Sequence, residues 1–296
     1  MIGDSMRIAA ASCAKVQSLP NQPAWSEIQA EKPDVLLLLG DNIYLDHDHH
    51  DDPAALRAEL SALYARQFAQ PQFTALLADI HQRGGRVIPI YDDHDFLGNN
   101  RYGGDHSPTL RDAARAEFIR TFSPQRTGID VYSLHPLGLV DLVVLDVRFY
   151  RRNPSDSGKD RDAVLGAAQW LWLENIVATS TAPYLLVASS TTLHTFADES
   201  WEQYPAAFQR LIKLLAPRHG ALAVTGDVHR NATYDDSGVI EIVTSAVARN
   251  GLLFGAERRN WGMLEFTAND MHVTLHALKV SWRMDFRVPL SHWTLP

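Results

Sequence analysis

The sequence contains one cysteine, Cys13, in 296 residues. A single cysteine excludes an intrachain disulfide, and it therefore excludes the class of secreted domains that several disulfides stabilise. The chain also has no run of about 18 apolar residues, the length that a transmembrane helix requires. The charge-free apolar stretch before Cys13 covers only residues 8–11, which is shorter than the ~7–15 residues of a signal-peptide core. We therefore predict a cytoplasmic protein.

Positive charge is scarce as well. Lys and Arg total 27 against 35 Asp and Glu, a formal net charge of −8. This balance argues against a protein that binds nucleic acid through its phosphate backbone, because such binding depends on clustered cations. Neither Gly-x-x-x-x-Gly-Lys-Ser/Thr nor Gly-x-Gly-x-x-Gly follows any predicted strand, so a nucleotide-binding module is disfavoured too.

Hydrophobic residues make up 46% and charged residues 21% of the chain, which is typical of a folded globular protein. Apolar runs alternate with segments of helical period, the pattern of an α/β fold. The predicted strands are 6–11, 35–39, 86–90, 139–145, 184–188 and 221–225, and the predicted helices are 23–31, 53–67, 73–81, 108–121, 167–178 and 204–215. No repeat or linker interrupts the pattern, so we predict one domain over residues 1–296.

The last third of the chain changes character. Segments 239–243, 263–267 and 271–278 have the composition of strands but no helix between them, which predicts antiparallel additions to the sheet. Residues 136–138, Pro-Leu-Gly, likewise predict a hairpin turn between strands at 131–135 and 139–145.

Potential metal ligands follow four of the predicted strands. Ligands in α/β folds gather at the carboxyl ends of strands, and clustered carboxylates repel one another unless a cation compensates them. The sequence therefore predicts a metal centre there. Its candidate ligands, in chain order, are Cys13, Asp41, Tyr44, Asp92, Asp93, Asp227 and His229.

The spacing of these residues fits two adjacent metal ions. Asp41 follows a glycine in a tight turn, and each of its carboxylate oxygens can bind one ion, so we interpret it as a bridge. Tyr44 offers a phenolate that suits ferric iron, and Cys13 offers a thiolate to the same ion. Asp227 and His229, separated by one residue, point the same way in an extended segment and can act as a chelating pair.

Six segments together resemble the alkaline phosphatase D family, a branch of the calcineurin-like metallophosphoesterases. Three carry the ligands: Gly-Asp-Asn-Ile-Tyr at 40–44, Tyr-Asp-Asp-His-Asp at 91–95 and Gly-Asp-Val-His at 226–229. Three more agree in order along the chain: Asp-Val-Arg at 146–148, Gln-Trp-Leu at 169–171 and Trp-Glu-Gln-Tyr-Pro at 201–205. The resemblance covers roughly residues 7–270.

The resemblance implies a four-layer α/β/β/α sandwich with two mixed sheets and a metal site at their shared edge. It implies hydrolysis of a small phosphorylated substrate by a hydroxide activated between two ions. Iron held in part by Cys13 and Tyr44, with calcium alongside, is the implied centre, and manganese or zinc remains open. Asp93 stands where the wider superfamily has a metal-binding asparagine, and adjacent Asp92 is the alternative ligand. Family members are commonly exported with a leader and an extra N-terminal domain. We expect neither here, so the location and physiological substrate of the family do not carry over.

Two further residues have candidate catalytic roles. His94 stands where the superfamily has its acid histidine, although a histidine there can also satisfy a loop carbonyl. Arg148 can grip phosphate with its planar guanidinium, or it can be an ion-pair partner of Asp146. Asn99 or Asn100 can touch metal or substrate.

Other polar and aromatic residues near these segments have competing interpretations. The run of acidic and histidine residues at 46–52 resembles a metal loop, but its spacing favours a solvated loop ahead of a helix. Trp201, Phe254 and Trp261 are candidates for a substrate wall, and the hydrophobic core competes for all three.

The predicted function is metal-dependent hydrolysis of phosphate monoesters. Gly-x-Ser-x-Gly and Cys-x₅-Arg are absent, so the sequence does not predict a covalent phosphoenzyme. A phosphodiesterase or phospholipase D-type activity on the same metals is the enzymatic alternative. A metal-binding scaffold is the non-enzymatic one, and it is disfavoured because every main ligand position holds a competent donor.

Overall fold

The computed structural model describes residues 5–46, 52–122, 130–194, 199–235, 237–250, 257–277 and 284–293. Within these ranges the strands are β1 (Ser5–Ala11), β2 (Val35–Leu39), β3 (Arg86–Ile90), β4 (Ser133–Pro136), β5 (Val140–Val144), β6 (Tyr184–Ser189), β7 (Ala221–Thr225), β8 (Ala232–Tyr234), β9 (Ile240–Val243), β10 (Arg249–Asn250), β11 (Glu257–Arg258), β12 (Trp261–Thr267), β13 (Asp270–His276) and β14 (Met284–Pro289). The helices are α1 (Ala24–Ala30), α2 (Pro53–Phe68), α3 (Pro71–Gln82), α4 (Pro108–Phe122), α5 (Pro154–Ser157), α6 (Gly166–Thr179) and α7 (Pro205–Leu215).

The strands and helices predicted for the α/β pattern are confirmed, with boundaries that agree within two residues. Prolines occupy the first turns of α2, α3 and α7, where the missing N–H costs no hydrogen bond. The predicted hairpin is also present, because β4 and β5 pair antiparallel around Gly138, which has a φ of +81°. Residue 278, the end of one predicted strand, lies outside the described ranges.

The strands form two mixed six-stranded sheets. Sheet one has the order β14-β13-β12-β1-β2-β3, with β1, β2 and β3 parallel and the other three antiparallel additions. Sheet two has the order β4-β5-β6-β7-β9-β8, with antiparallel strands only at its two edges. The antiparallel prediction holds for β12 and β13. β9 instead runs parallel to β7, because the short strand β8 reverses the chain between them.

The two sheets pack face to face between layers of helices. Side chains such as Leu37 of β2 and Leu186 of β6 fill the space between the sheets. Trp25 of α1 lies against the outer face of sheet one, and Trp170 of α6 lies against the outer face of sheet two. The α/β/β/α sandwich is therefore confirmed. The single domain stays a prediction.

The carboxyl ends of β1, β2 and β7 meet at one edge of the sandwich. Ser12, directly after β1, links the two sheets there: its backbone oxygen accepts from the Val247 N–H at 2.8 Å, and its hydroxyl donates to the Thr244 carbonyl at 3.1 Å. Residues after strands of both sheets are thereby brought to a common edge. No helix in the described part of the chain is long and apolar enough to cross a membrane.

Candidate metal centre

Cys13 lies buried at the end of β1. Its thiol lies 3.4 Å from Oδ2 of Asp41, to which it can donate, and it accepts from the Ser245 hydroxyl at 3.1 Å. Burial raises the pKa of the thiol to about 11, although the Ser245 hydrogen bond acts in the opposite direction. The thiol therefore stays protonated near neutral pH unless a bound cation stabilises the thiolate.

Asp41 reaches the site because Gly40 allows an unusually close approach. Gly40 has a φ of +86°, and a Cβ there would lie 2.5 Å from the Cβ of Asp92. The segment after β2 can thus press against the segment after β3 only with glycine at this position. Burial raises the pKa of Asp41 well above its ordinary value, and the charges of Cys13 and Asp93 add to the effect.

Asp41 belongs to two groups of potential ligands. One ligand atom each from Cys13, Asp41 and His229 lies within 4.8 Å of the others, and the same holds for Asp41, Asp93 and His94. Tyr44 adjoins the first group, with its hydroxyl 3.3 Å from Nε2 of His229. Asp41 is thus the member common to both sets of donors.

Asp227 and His229 follow β7 and come to the site from sheet two. Both line a cleft of about 310 Å³ together with Asp41, Asp93 and His94. Asp227 is in neither ligand group among the described residues, but its Oδ2 is buried without a hydrogen-bond partner. Burial raises the pKa of Asp227 well above its usual range, and the nearby carboxylates reinforce this shift.

Four of the predicted ligands have left-handed backbone conformations. The φ angles are +61° for Cys13, +52° for Asp41, +69° for Asp227 and +52° for His229. Such a conformation costs a non-glycine residue on the order of 1–2 kcal/mol, and it persists where the surrounding structure determines it. The fold therefore holds these side chains in place at a local cost.

The carboxylates of Asp92 and Asp93 have different hydrogen-bond partners. Asp93 lines the cleft, and its carboxylate accepts from the backbone N–H of His94 at 2.8 Å and of Asn100 at 2.7 Å. Burial tends to raise the pKa of Asp93, but the charges of Arg148 and His94 and the Asn100 N–H outweigh it and hold the pKa low, at about 2. Asp93 therefore lies next to Asp41 in the cleft, and Asp92 lies close enough to raise the pKa of Asp227.

Arg148 is fully buried and does not line the cleft. Its Nε donates to Oδ1 of Asp92 at 2.5 Å, and its Nη1 lies 2.6 Å from Oε2 of Glu199. The expected partner Asp146 instead accepts from the Arg148 backbone N–H. The structure thus shows an ion pair with other partners than predicted. The phosphate contact of Arg148 and the metal contact of Asp92, whose Oδ2 is buried without a hydrogen-bond partner, stay predictions.

His94 lies against Tyr44, with ring centroids 4.1 Å apart, and lines the cleft. Its Nδ1 is 3.3 Å from the Leu45 carbonyl. The neighbouring carboxylate of Asp95 does not orient this imidazole, because its Oδ2 accepts from the backbone N–H groups of Asn42 and Asp92. The Leu45 carbonyl orients His94 instead.

Two of the three aromatic residues considered for a substrate wall belong to the hydrophobic core, which was the competing interpretation. Trp201 and Trp261 are each 1% exposed and pack within the cores on the outer faces of the sheets. Phe254 lies outside the described residues. Asn99 and Asn100 do line the cleft.

The acidic run at 46–52 is described only at its two ends. Asp52 caps α2 by accepting from the N–H groups of Ala54 and Ala55, each at 3.0 Å. Asp46 pairs with Lys15 at 2.9 Å. Residues 47–51 lie outside the described ranges.

Three residues at the site were not predicted from the sequence. Asn42 donates from Nδ2 to the Ile90 carbonyl at 2.9 Å, joining the loops after β2 and β3, and its place inside the 40–44 motif was a usable signal. Ser245 contacts Cys13, and Arg249 places Nη1 3.4 Å from the Tyr44 hydroxyl and 3.0 Å from Nδ1 of His229. No local spacing indicates Ser245 or Arg249, because both reach the site only through the path of the folded chain after β9.

A comparison of the chain with known protein families finds one match. The family model described as PhoD-like phosphatase matches residues 8–279. The chain belongs to the PhoD-like phosphatase family. Membership makes the protein a phosphoric ester hydrolase of a metal-dependent family, and it confirms the resemblance drawn from the motifs. None of the curated proteins compared with the chain matches it.

Two solved structures share the fold. PhoD is 19% identical with a TM-score of 0.73, and the match covers 97% of this chain and 69% of the PhoD chain. GAP50, the anchor in the inner membrane complex of Plasmodium, is 13% identical with a TM-score of 0.55, covering 97% of this chain and 90% of its own. Both likenesses extend over nearly the whole of the present chain.

Proposed function

We propose that this phosphatase-family protein hydrolyses phosphate monoesters at a centre of two metal ions that share Asp41. The supporting observation is the membership of Asp41 in both groups of closely spaced donors. In this proposal Cys13, Tyr44 and His229 complete the ligand set of one ion. Asp93 of the second group and Asp227, which is in neither group, complete that of the other, while His94 of the second group is assigned the acid role.

The donor set fits such a centre. Oδ1 of Asp41 and Oδ2 of Asp227 are buried without hydrogen-bond partners, a costly state that a cation would relieve. A bound cation would also stabilise the ionised form of both carboxyls, whose pKa values are raised by burial. Thiolate and phenolate donors suit iron in the first site, and carboxylate oxygens suit calcium in the second, with manganese or zinc as alternatives.

The metal ions, when bound, would supply a nucleophilic hydroxide near neutral pH and charge that stabilises the transition state. His94, which lines the cleft beside Asp41 and Asp93, protonates the departing oxygen. The Asn100 N–H and the His94 N–H hold the Asp93 carboxylate in one orientation. Arg249, at the wall of the same cleft, offers a guanidinium to the phosphoryl oxygens.

The buried ion pair of Arg148 supports the site indirectly. It joins Asp92, after β3, to Glu199, and it lowers the pKa of Asp93. Arg148 is therefore a positioning residue in this proposal, not a phosphate ligand. The cytoplasmic location expected from the sequence stays a prediction.

The proposal is tested by metal analysis combined with a substrate screen. Protein purified without added metal is analysed for bound elements, stripped with chelator, and assayed on a monoester, a diester and a phospholipid after return of iron, calcium, manganese or zinc. We expect turnover to return with metal and to be fastest on the monoester. Faster turnover of the diester or the phospholipid would replace the monoesterase with the alternative activity, and protein inactive with every metal would contradict the proposal.

A further inference from the structure

A second cavity adjoins the metal cleft. It has a volume of about 240 Å³ and shares His94, Asn99 and Arg249 with the cleft. The predicted metal ligands Asp41, Asp93, Asp227 and His229 line only the cleft. The two spaces therefore adjoin at His94, Asn99 and Arg249, and the ligand cluster lies in the cleft.

The position of His94 gives the second cavity a role. A general acid has to lie within hydrogen-bond reach of the leaving oxygen, so the leaving group extends to the side of the acid away from the attacked phosphorus. The phosphoryl group belongs with the metal ligands in the cleft. The leaving group then enters the second cavity.

The charge of this cavity contrasts with that of the whole protein. Among the described residues, Lys15, Arg101 and Arg249 line it against one carboxylate, that of Asp46, whereas the complete chain carries a net charge of −8. Lys15 and Arg249 both lie over the Tyr44 ring, with their cationic centres 5.1 Å and 5.0 Å from its centroid. The aromatic ring thus holds two cations at the wall between the cleft and the cavity.

The cavity offers little apolar surface. Its hydrophobic lining residues, Leu45 and Leu97, are 1% and 4% exposed, so their side chains face the protein interior. The remaining lining is charged, polar or glycine. An acyl chain or a large apolar alcohol would find no hydrophobic contact here, whereas an anion would meet three cationic side chains.

We propose that the preferred substrates carry a second phosphate on the leaving group, which binds to Lys15 and Arg101 in this cavity. The inference rests on the proposed hydrolase function and specifies its substrate class. Two kinds of molecule share the required chemistry: organic bisphosphates, and phosphoanhydrides in which the second phosphate is the leaving group itself.

The first test compares matched substrates of the metal-loaded enzyme. Propane-1,3-diol bisphosphate and its monophosphate differ only in the second phosphate, and ethyl diphosphate and ethyl phosphate give the anhydride pair. We expect kcat/KM at least tenfold higher for the bisphosphate than for its monophosphate. A higher value for ethyl diphosphate indicates an anhydride substrate only where Lys15→Gln lowers it, because a phosphate is a better leaving group than an alkoxide in any case. Equal kcat/KM values within both pairs would overturn the inference while leaving the hydrolase function intact.

Variants then locate the effect. Lys15→Gln and Arg101→Gln should each lower the bisphosphate-to-monophosphate ratio about tenfold, the size of one lost charge-assisted hydrogen bond. Asp46→Asn should raise the ratio, because it removes the carboxylate that pairs with Lys15. Arg86→Gln is the matched control, since Arg86 is exposed at the start of β3, at the opposite end of that strand from Asp93.

A binding measurement avoids turnover altogether. Calorimetric titration of the metal-loaded protein with propane-1,3-bisphosphonate should give tighter binding than propylphosphonate, and Lys15→Gln should reduce that advantage about tenfold. Equal affinity for the two phosphonates, or an advantage that Lys15→Gln and Arg101→Gln leave unchanged, would overturn the second-phosphate site. Loss of hydrolysis with all four esters would instead contradict the proposed function.

Discussion

Nε of Arg148 donates to Oδ1 of Asp92 across 2.5 Å, and both side chains are excluded from solvent. The same guanidinium lies 2.6 Å from Glu199. One cation thus compensates two buried carboxylates, one after β3 and one after β6. Removing one partner of such a pair leaves an uncompensated buried charge, which costs more than the net gain of forming the pair.

The first prediction follows from this ion pair. Arg148→Gln should lower the free energy of unfolding by about 3–5 kcal/mol, because Asp92 and Glu199 lose their common cation. Arg148→Lys keeps the charge and should cost less, although it loses the planar fork. Chemical denaturation of the three proteins measures both effects. An Arg148→Gln protein with unchanged stability and a raised KM would contradict this prediction and would indicate that Arg148 binds the phosphate of the substrate.

The second prediction concerns colour. If Tyr44 and Cys13 bind ferric iron, charge transfer from phenolate or thiolate produces a visible absorption band. Tyr44→Phe should shift or remove the band, and Cys13→Ser should change it separately. The measurement is the visible spectrum of the concentrated iron-loaded protein after mild oxidation, with Tyr91→Phe as the control tyrosine. A colourless ferric protein would exclude both ligands.

The third prediction separates an acid role of His94 from a ligand role, since His94 also belongs to a group of potential metal donors. His94→Ala should lose about 10²–10⁴-fold in rate on an alkyl phosphate, whose leaving group needs a proton, and far less on nitrophenyl phosphate. Metal content should not change. An equal loss on both substrates, or loss of metal, would make His94 a ligand or a structural residue.

The fourth prediction is a pH dependence of the metal-free protein. Burial raises the pKa of Asp95 to about 7 and raises those of Asp41 and Asp227 well above the ordinary value. A carboxyl with a raised pKa binds its proton more tightly in the folded state. Its contribution to stability is full below its unfolded pKa of about 3.9, and it is lost as the pH rises toward the folded pKa.

The thermal midpoint of the metal-free protein should therefore fall between pH 5 and pH 8. Metal-free Asp41→Asn should show a smaller fall, because the side chain at position 41 no longer ionises. The metal-loaded wild type should also show a smaller fall, because bound cations compensate the ionised carboxylates. Differential scanning calorimetry at several pH values measures all three. Identical pH profiles for the metal-free and metal-loaded proteins would show that these carboxyls do not surround the metal.

The fold was largely predictable because its strands and helices carry strong local signals. The buried runs of β2 and β7, for example, are almost wholly apolar and end in glycine or a polar turn. β8, β10, β11 and β14 were missed because short strands and edge strands keep no continuous hydrophobic pattern. The parallel direction of β9 was missed because the turn-back through β8 depends on tertiary pairing.

The candidate site was predictable where its residues share a short motif. Asp41 and Tyr44 lie in one turn, and Asp93 and His94 in another, so their proximity is local. The different partners of Asp92 and Asp93 needed the structure, because only the packed fold shows that Arg148 pairs with Asp92 while Asp93 lines the cleft. Arg249 is 205 residues from Tyr44 in sequence, and nothing local relates the two.

Metal stoichiometry of Asp41→Asn tests the shared role of Asp41 most directly. The wild-type protein should bind two metal ions per chain by elemental analysis. Asp41→Asn should weaken both sites and abolish hydrolysis, whereas Cys13→Ser and Asp227→Asn should each weaken mainly one. An Asp41→Asn protein that keeps two ions and full turnover, or that loses one site while the other keeps wild-type affinity, would contradict the account.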